Sequence, residues 1–564
     1  MREKWLFLGL AMVVLISFSP AVEGGIATTK HNLSVSGPGP VKAIEETRIC
    51  IFCHTPHNSS PRPPLWNRQD PGNYYTPYSS STAVASPGQP TGASILCLSC
   101  HDGTIALGEV LSEPVPISMV SGITTMPAGP GRLETDLSDD HPISFPYTSS
   151  LAAANGELVD PLTLTGPVRL DSSGQLQCTS CHDAHNNAFG KFLVMSNQGA
   201  ALCTTCHTKN FWNQSIHKTS TATWNGSGPD PWPHTTWNTV TDNGCENCHR
   251  PHTAGGHERL LNYAVEEDNC YPCHNGNVAT QNIQAEFSKV SRHPVGDTIG
   301  VHDPREAAVV GTRHVECVDC HNPHAAYPGA GTPSGPLAGV RGVSITGAEV
   351  ATATFEYEIC FRCHADSPNK PPPRTTRQLA QTNVRLEFST SNPSFHPVVG
   401  PGVNPNVPSL IAPLTTTSVI KCTDCHNNNA GPGAGGAGPN GPHGSTFVPL
   451  LERQYVTTDN TRESSAVYAL CYKCHSRNSI LGDQSFKEHK KHIQGEKAPC
   501  NVCHDPHGIS ATQGNSINNS KLINFDTTVV SPSSSGQLRF ESQGRFKGAC
   551  YLRCHGKNHD PKRY

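Results

Sequence analysis

The chain of 564 residues contains 24 Cys, 30 His, 50 Gly and 48 Pro, and only 35% of it is AVILMFWYC. So many turn formers and so few apolar side chains exclude a conventional core of this size, so something other than side chains must fill the interior. A formal charge of −4 gives no basis for binding nucleic acid or an anionic membrane surface.

Residues 1–24 read as a secretory signal. Arg2 and Lys4 supply the charge, Trp5 to Ile16 an apolar stretch too short to span a bilayer, and Ser17 to Gly24 a small-residue region cut after Gly24. No Cys precedes Cys50, so no lipid-bearing Cys follows the signal, and no later segment reads as a membrane span. The expected mature protein is exported and soluble, with a place outside the cell or on its outer surface; the periplasm is the alternative.

From there a repeat takes over, in six units of two C-x-x-C-H motifs each. Unit 1 (25–120) holds Cys50/Cys53/His54 and Cys97/Cys100/His101. Unit 2 (121–210) holds Cys178/Cys181/His182 and Cys203/Cys206/His207. Unit 3 (211–280) holds Cys245/Cys248/His249 and Cys270/Cys273/His274. In unit 4 (281–370) they are Cys317/Cys320/His321 and Cys360/Cys363/His364, and in unit 5 (371–480) Cys422/Cys425/His426 and Cys471/Cys474/His475. Unit 6 (481–564) ends the series with Cys500/Cys503/His504 and Cys550/Cys554/His555, the last with three residues between its cysteines.

C-x-x-C-H is the attachment signature of c-type haem. Two thiols add to the two vinyl groups of one porphyrin, and the following imidazole reaches the iron as its proximal ligand. Composition alone predicts about 0.06 such matches in a chain of this length. Disulfides and zinc sites also use cysteine pairs, but neither requires a His after every second Cys. The expected cofactor is therefore haem c, twelve copies, covalently attached.

Eighteen histidines lie outside the motifs, and Met119, Met126 and Met195 are the only methionines after the signal, so bis-His ligation is the economical reading. Each unit offers an upstream and a trailing candidate for the distal position. The upstream ones are His31, His141, His293 and His396, with one of His217/His234 and one of His489/His492. The trailing ones are His57, His185, His252, His324, His443 and His507. Most trailing residues follow a proximal His by three residues, a reach of at most ~10 Å. That cannot carry the chain around a porphyrin rim, so each trailing His is expected on a different haem from its neighbour. His257, His302, His314 and His559 are read as non-ligands.

Ser, Thr, Gly and Pro dominate 102–177, 325–359, 365–421 and 508–549, which predicts loops and short strands. Gly431–Gly444 is low-complexity yet ends at His443, and Pro371–Pro373 reads as a stiff spacer. The predicted fold is mostly irregular and loop-rich, with short helices and few short strands, stapled by haem. Asp136, Asp139 and Asp140 read as a solvated loop, and Trp66, Trp232 and Trp237 as packing against haem.

The C-x-x-C-H-x-P-H units, the H-P-V segments, the opening K-H-N-L-S with C-I-F-C-H-T-P-H-N, and the ending C-Y-L-R-C-H-G-K-N-H resemble the doubled C-x-x-C-H cytochromes of metal-respiring bacteria. The resemblance implies a continuous chain of stacked haems and electron export. Its implied partners are periplasmic and outer-membrane cytochromes as donors and metal oxides, electrodes or partner cells as acceptors. It also implies head-to-tail polymers, for which His31 is the expected ligand crossing between subunits. A bis-His iron has no open position, so electron transfer is expected rather than catalysis. The alternative is a multihaem reductase of a nitrogen or sulfur oxyanion, which needs an open iron.

Overall fold

The computed structural model describes residues 25–297, 300–327, 333 and 335–564, so the expected signal segment lies outside the described residues. Among them no helix is long and apolar enough to cross a membrane. The chain is loop-rich, with short helices and mostly two-residue strands. Its two longest helices, Gly92–His101 and Glu356–His364, both end on the His of a C-x-x-C-H motif.

Local geometry explains the motif spacing. Cys178–Cys181 and Cys317–Cys320 are single α-turns, and Cys50–Phe52, Cys422–Asp424 and Cys500–Val502 are single 3₁₀ turns. Residues three apart on a helical turn share one side, so both thiols face the same way. The backbone N–H of the following His closes the turn on the first Cys carbonyl, as from His54 to Cys50 and from His504 to Cys500.

The twelfth motif is built on a sheet. Strands β1 (Val530–Ser531), β2 (Arg539–Ser542), β3 (Gly548–Cys554) and β4 (Lys557–Arg563) form an antiparallel unit in which β3 pairs with the other three. Both cysteines lie on β3. On a strand, residues share a face at even spacings, so Cys550 and Cys554, four apart, do what three apart does on a helix. The additional residue in this motif follows from the change of secondary structure.

Apolar packing is divided among small clusters. Ala43, Ile51, Phe52, Leu107, Val110 and Met119 pack beside Cys53 and Cys100. Ala498, Val502, Phe525, Val530, Phe540 and Leu552 pack beside Cys503, Cys550 and Cys554. Polar side chains tie the loops together by satisfying buried carbonyls. The fully buried Arg68 donates to the carbonyls of Ala106 and Leu107, and Arg377 to those of Asn501 and Asn524.

Short strand pairs cross the unit boundaries. Ser291–Arg292 pairs with Gly444–Ser445, and Ser394–Phe395 with Gly508–Ile509. The first pair adjoins His293 and His443, the second His396 and His507. Backbone pairing therefore brings the upstream His of one unit beside the trailing His of the next.

Candidate haem-ligand framework

Imidazole rings meet in pairs throughout the molecule. A metal–imidazole bond is about 2 Å, and the ring centre lies roughly 1.1 Å behind the ligating nitrogen. Two rings trans across one iron therefore have centroids about 6.2 Å apart. Twelve His pairs involving the motif regions have centroids 6.0–6.5 Å apart.

The pairs follow one rule. The upstream His of a unit faces the second motif of that unit: His31 faces His101, His141 faces His207, His217 faces His274, His293 faces His364 and His396 faces His475. The trailing His of the next unit faces the first motif: His185 faces His54, His252 faces His182, His324 faces His249, His443 faces His321 and His507 faces His426. Unit 6 supplies both partners itself. There His489 faces His504 and His492 faces His559, the two residues standing three apart around a helical turn that runs into the π-turn Lys491–Gly495.

Ring orientation agrees. Where these rings hydrogen-bond at all, they do so through Nδ1, leaving Nε2 free. His54, His182, His217, His249, His293 and His321 meet backbone carbonyls at 2.8–2.9 Å. Two meet buried carboxylates instead: His252 Nδ1 is 3.0 Å from Asp140 Oδ1, and His507 Nδ1 is 3.0 Å from Glu387 Oε2. Such partners fix the tautomer and make the ring a stronger donor. Burial keeps most of the rings neutral: it pushes His207, His274 and His475 down to about 4, and His324, His443 and His489 down to about 3. His507 is the exception; desolvation pulls it down, but Glu387 outweighs that and raises it.

Several expected ligands stand elsewhere. His57 is exposed and faces no second imidazole among the described residues. His234 spends its Nε2 on the Glu246 carbonyl at 3.1 Å, so the choice between His217 and His234 falls on His217. His489 and His492 each face another imidazole. His31 faces His101 of its own chain.

The largest departure is at the end of the chain. His555 occupies the tight turn between β3 and β4 with φ +47°, and its Nε2 is 3.1 Å from Asp459 Oδ1. His559 sits on β4 directly across from Leu552. Opposed residues of an antiparallel pair point to the same face, and Leu552 shares its face with Cys550 and Cys554. His559 therefore lies on the cysteine face, with His492 opposite it at 6.5 Å between centroids. It is also the one residue of its strand that is not fully exposed.

Other residues gained roles that their spacing did not signal. Asp140, expected in a solvated loop, is 3% exposed and holds His252. Trp66 stands edge-on to His54 at 5.6 Å and Trp212 to His324 at 6.4 Å, whereas Trp232 is buried and donates Nε1–H to Asn247.

The cysteines give the order of the motifs in space. Between units the first thiols lie beside each other, in the pairs Cys97–Cys178, Cys203–Cys245, Cys270–Cys317, Cys360–Cys422 and Cys471–Cys500. Within a unit the second thiols approach each other. Burial and the neighbouring Cys100 push the Cys53 thiol up to about 12, and the same holds for Cys181 beside Cys206, Cys248 beside Cys273 and Cys425 beside Cys474. Cys320 has Cys360 and Cys363 beside it, and Cys503 has Cys550 and Cys554. Every motif thus adjoins the one before it and the one after it.

The family described as the doubled CXXCH motif matches residues 172–211 and 238–279, the segments carrying motifs three to six. No curated protein matches the chain.

Proposed function

We propose that the chain, whose doubled CXXCH motifs are those of a multihaem c-type cytochrome, carries twelve bis-His haems that pass electrons along the molecule in sequence order. One observation carries the reading: twelve imidazole pairs at the separation one iron requires, on motifs that adjoin consecutively. Eleven haems take the His of their own motif as proximal ligand. The twelfth, attached at Cys550 and Cys554, takes His559 and His492, and His555 is released to Asp459. With two imidazoles on each iron no substrate position is open, so the chemistry is one-electron hopping, which the protein supports by fixing distances and tuning potentials.

The destination follows from the signal-like start and the family resemblance. Electrons from periplasmic and outer-membrane cytochromes reach acceptors outside the cell, such as metal oxides. Every haem has both imidazoles within one chain, so ligation does not depend on polymerisation. One observation favours filaments as a second reading. By the pairing rule, His57 is the trailing ligand for the first motif of a unit placed before unit 1. A second copy joined head to tail would supply that unit, with His57 replacing His489 on His504 of its neighbour.

Intact mass and EPR of the haemylated protein test the proposal. Twelve haems, all low-spin, are the expected result. Ten or fewer haems would refute the count of twelve, and CO binding by several reduced haems would favour the reductase. For the filament reading, His57→Ala should abolish polymers while keeping twelve haems; a wild-type protein that stays monomeric at high concentration removes it.

A further inference from the structure

We propose that His302, Glu306, His314 and Asp319 bind one divalent transition-metal ion, best matched by zinc, at a non-haem site between the seventh and eighth haem motifs. Asp319 lies between Cys317 and Cys320, and the neighbouring Arg362 lies between Cys360 and Cys363. Each of the four side chains offers one donor atom within 4.8 Å of the other three. His302 Nδ1 is 3.6 Å from Glu306 Oε1 and 3.4 Å from Asp319 Oδ1. His314 Nε2 is 3.3 Å from Glu306 Oε2 and 3.8 Å from Asp319 Oδ2. Tetrahedral zinc with bonds of about 2.1 Å separates its ligand atoms by about 3.4 Å, and two imidazoles with two carboxylates are donors it accepts.

A second observation points into the same space. His302 Nδ1 and Asp319 Oδ1 are buried without a hydrogen-bond partner, on side chains only 9% and 5% exposed. Burying His302 Nδ1 unpaired is costly, and Asp319 Oδ1 has only the ionic contact with Arg362 at 3.3 Å. A protonated His302 would relieve that by donating at hydrogen-bond distance, yet the nearest carboxylate oxygens stand farther off and unaligned. A cation between them satisfies both. Outer contacts hold the donors in place: Thr312 Oγ1 is 3.1 Å from His314 Nδ1, leaving Nε2 facing inward, and the Glu316 N–H reaches Asp319 Oδ2 at 2.8 Å.

Arg362 supplies one positive charge, 3.1 Å from Glu306 Oε1 and 3.3 Å from Asp319 Oδ1. Two carboxylates remain only half neutralised by it. His302 and His314 have centroids 6.2 Å apart, the separation seen in the haem pairs. All 24 cysteines belong to the twelve motifs, however, so none is left to attach a porphyrin here, and carboxylate oxygens of Glu306 and Asp319 stand 3.3–3.8 Å from the ring nitrogens. That leaves room for an ion and none for a porphyrin. The four donors fall within eighteen residues, so the ion would clip the 302–316 loop onto the seventh motif, beside Arg362 of the eighth.

The test is equilibrium dialysis of the full haemylated chain against Zn²⁺ after chelation, with elemental analysis of bound zinc. One zinc per chain is expected. The double variant His302→Ala/His314→Ala should bind none, and Glu306→Gln, nearly isosteric, should bind at least tenfold more weakly. Haem content and circular dichroism check that each variant is folded, and His257→Ala should retain the zinc. Wild-type protein that binds no zinc, or folded variants that bind it as tightly as wild type, would overturn the proposal.

Discussion

His507 and His252 differ from the other paired rings in what stands behind them. Glu387 and Asp140, both buried, face their Nδ1 atoms, where most of the others meet neutral carbonyls. A carboxylate behind the ring pushes electron density onto the ligating nitrogen and favours ferric iron. Glu387→Gln should therefore raise the potential of the haem held by His426 and His507 by about 60 mV, a tenfold change in its reduction equilibrium. Spectroelectrochemical titration reads that shift, and an unchanged or lower potential would contradict it. His324→Ala tests the pairing rule at the same scale. The defect should appear as one high-spin iron at the haem of Cys245 and Cys248, with the haem of Cys317 and Cys320 intact, because His324 faces His249 and His443 faces His321.

The C-terminal hairpin shows how an element can redirect a motif. On a helical turn the residue after the second Cys closes the turn and its ring falls beneath the porphyrin. At the end of β3 that residue, His555, enters the tight turn, and His559 on the partner strand takes the cysteine face. His559→Ala should convert one haem to high spin, whereas His555→Ala should leave all haems low-spin; EPR distinguishes the two. Deleting Tyr551, which makes the spacing regular, should turn one cysteine to the opposite face and lose one haem from the intact mass. The sequence made the cysteine motifs and the recurring histidines around them legible, because a repeat can be read without knowing the fold. It did not reveal His559, because a C-x-x-x-C-H string says nothing about strand or helix. Nor did it reveal that His57 is surplus and that His489 and His492 both face an imidazole. Those facts follow from trailing ligands reaching back one unit, a relation between segments 70 or more residues apart that is set by pairings such as Ser291–Arg292 with Gly444–Ser445.

For the whole molecule, that backward reach makes the six units interdependent. The first motif of each unit completes its imidazole pair only when the next unit is in place, and the last unit completes itself with His489 and His492. Small apolar clusters and loops leave little to hold the chain without its haems. Truncation after residue 480 should therefore leave the haem of His426 without its second imidazole, since His507 is removed, while the haems of units 1 to 4 stay low-spin. The count of high-spin irons checks this: one is expected, and several would mean that the units depend on each other beyond their neighbours. The central claim is a single file of twelve irons, each between two imidazoles, in sequence order. Anomalous diffraction at the iron edge from crystals of the haemylated protein measures it directly. Twelve peaks are expected, each between the paired rings, with every iron nearest to those of the preceding and following motifs. A branched arrangement, or irons with a single protein ligand, would contradict it.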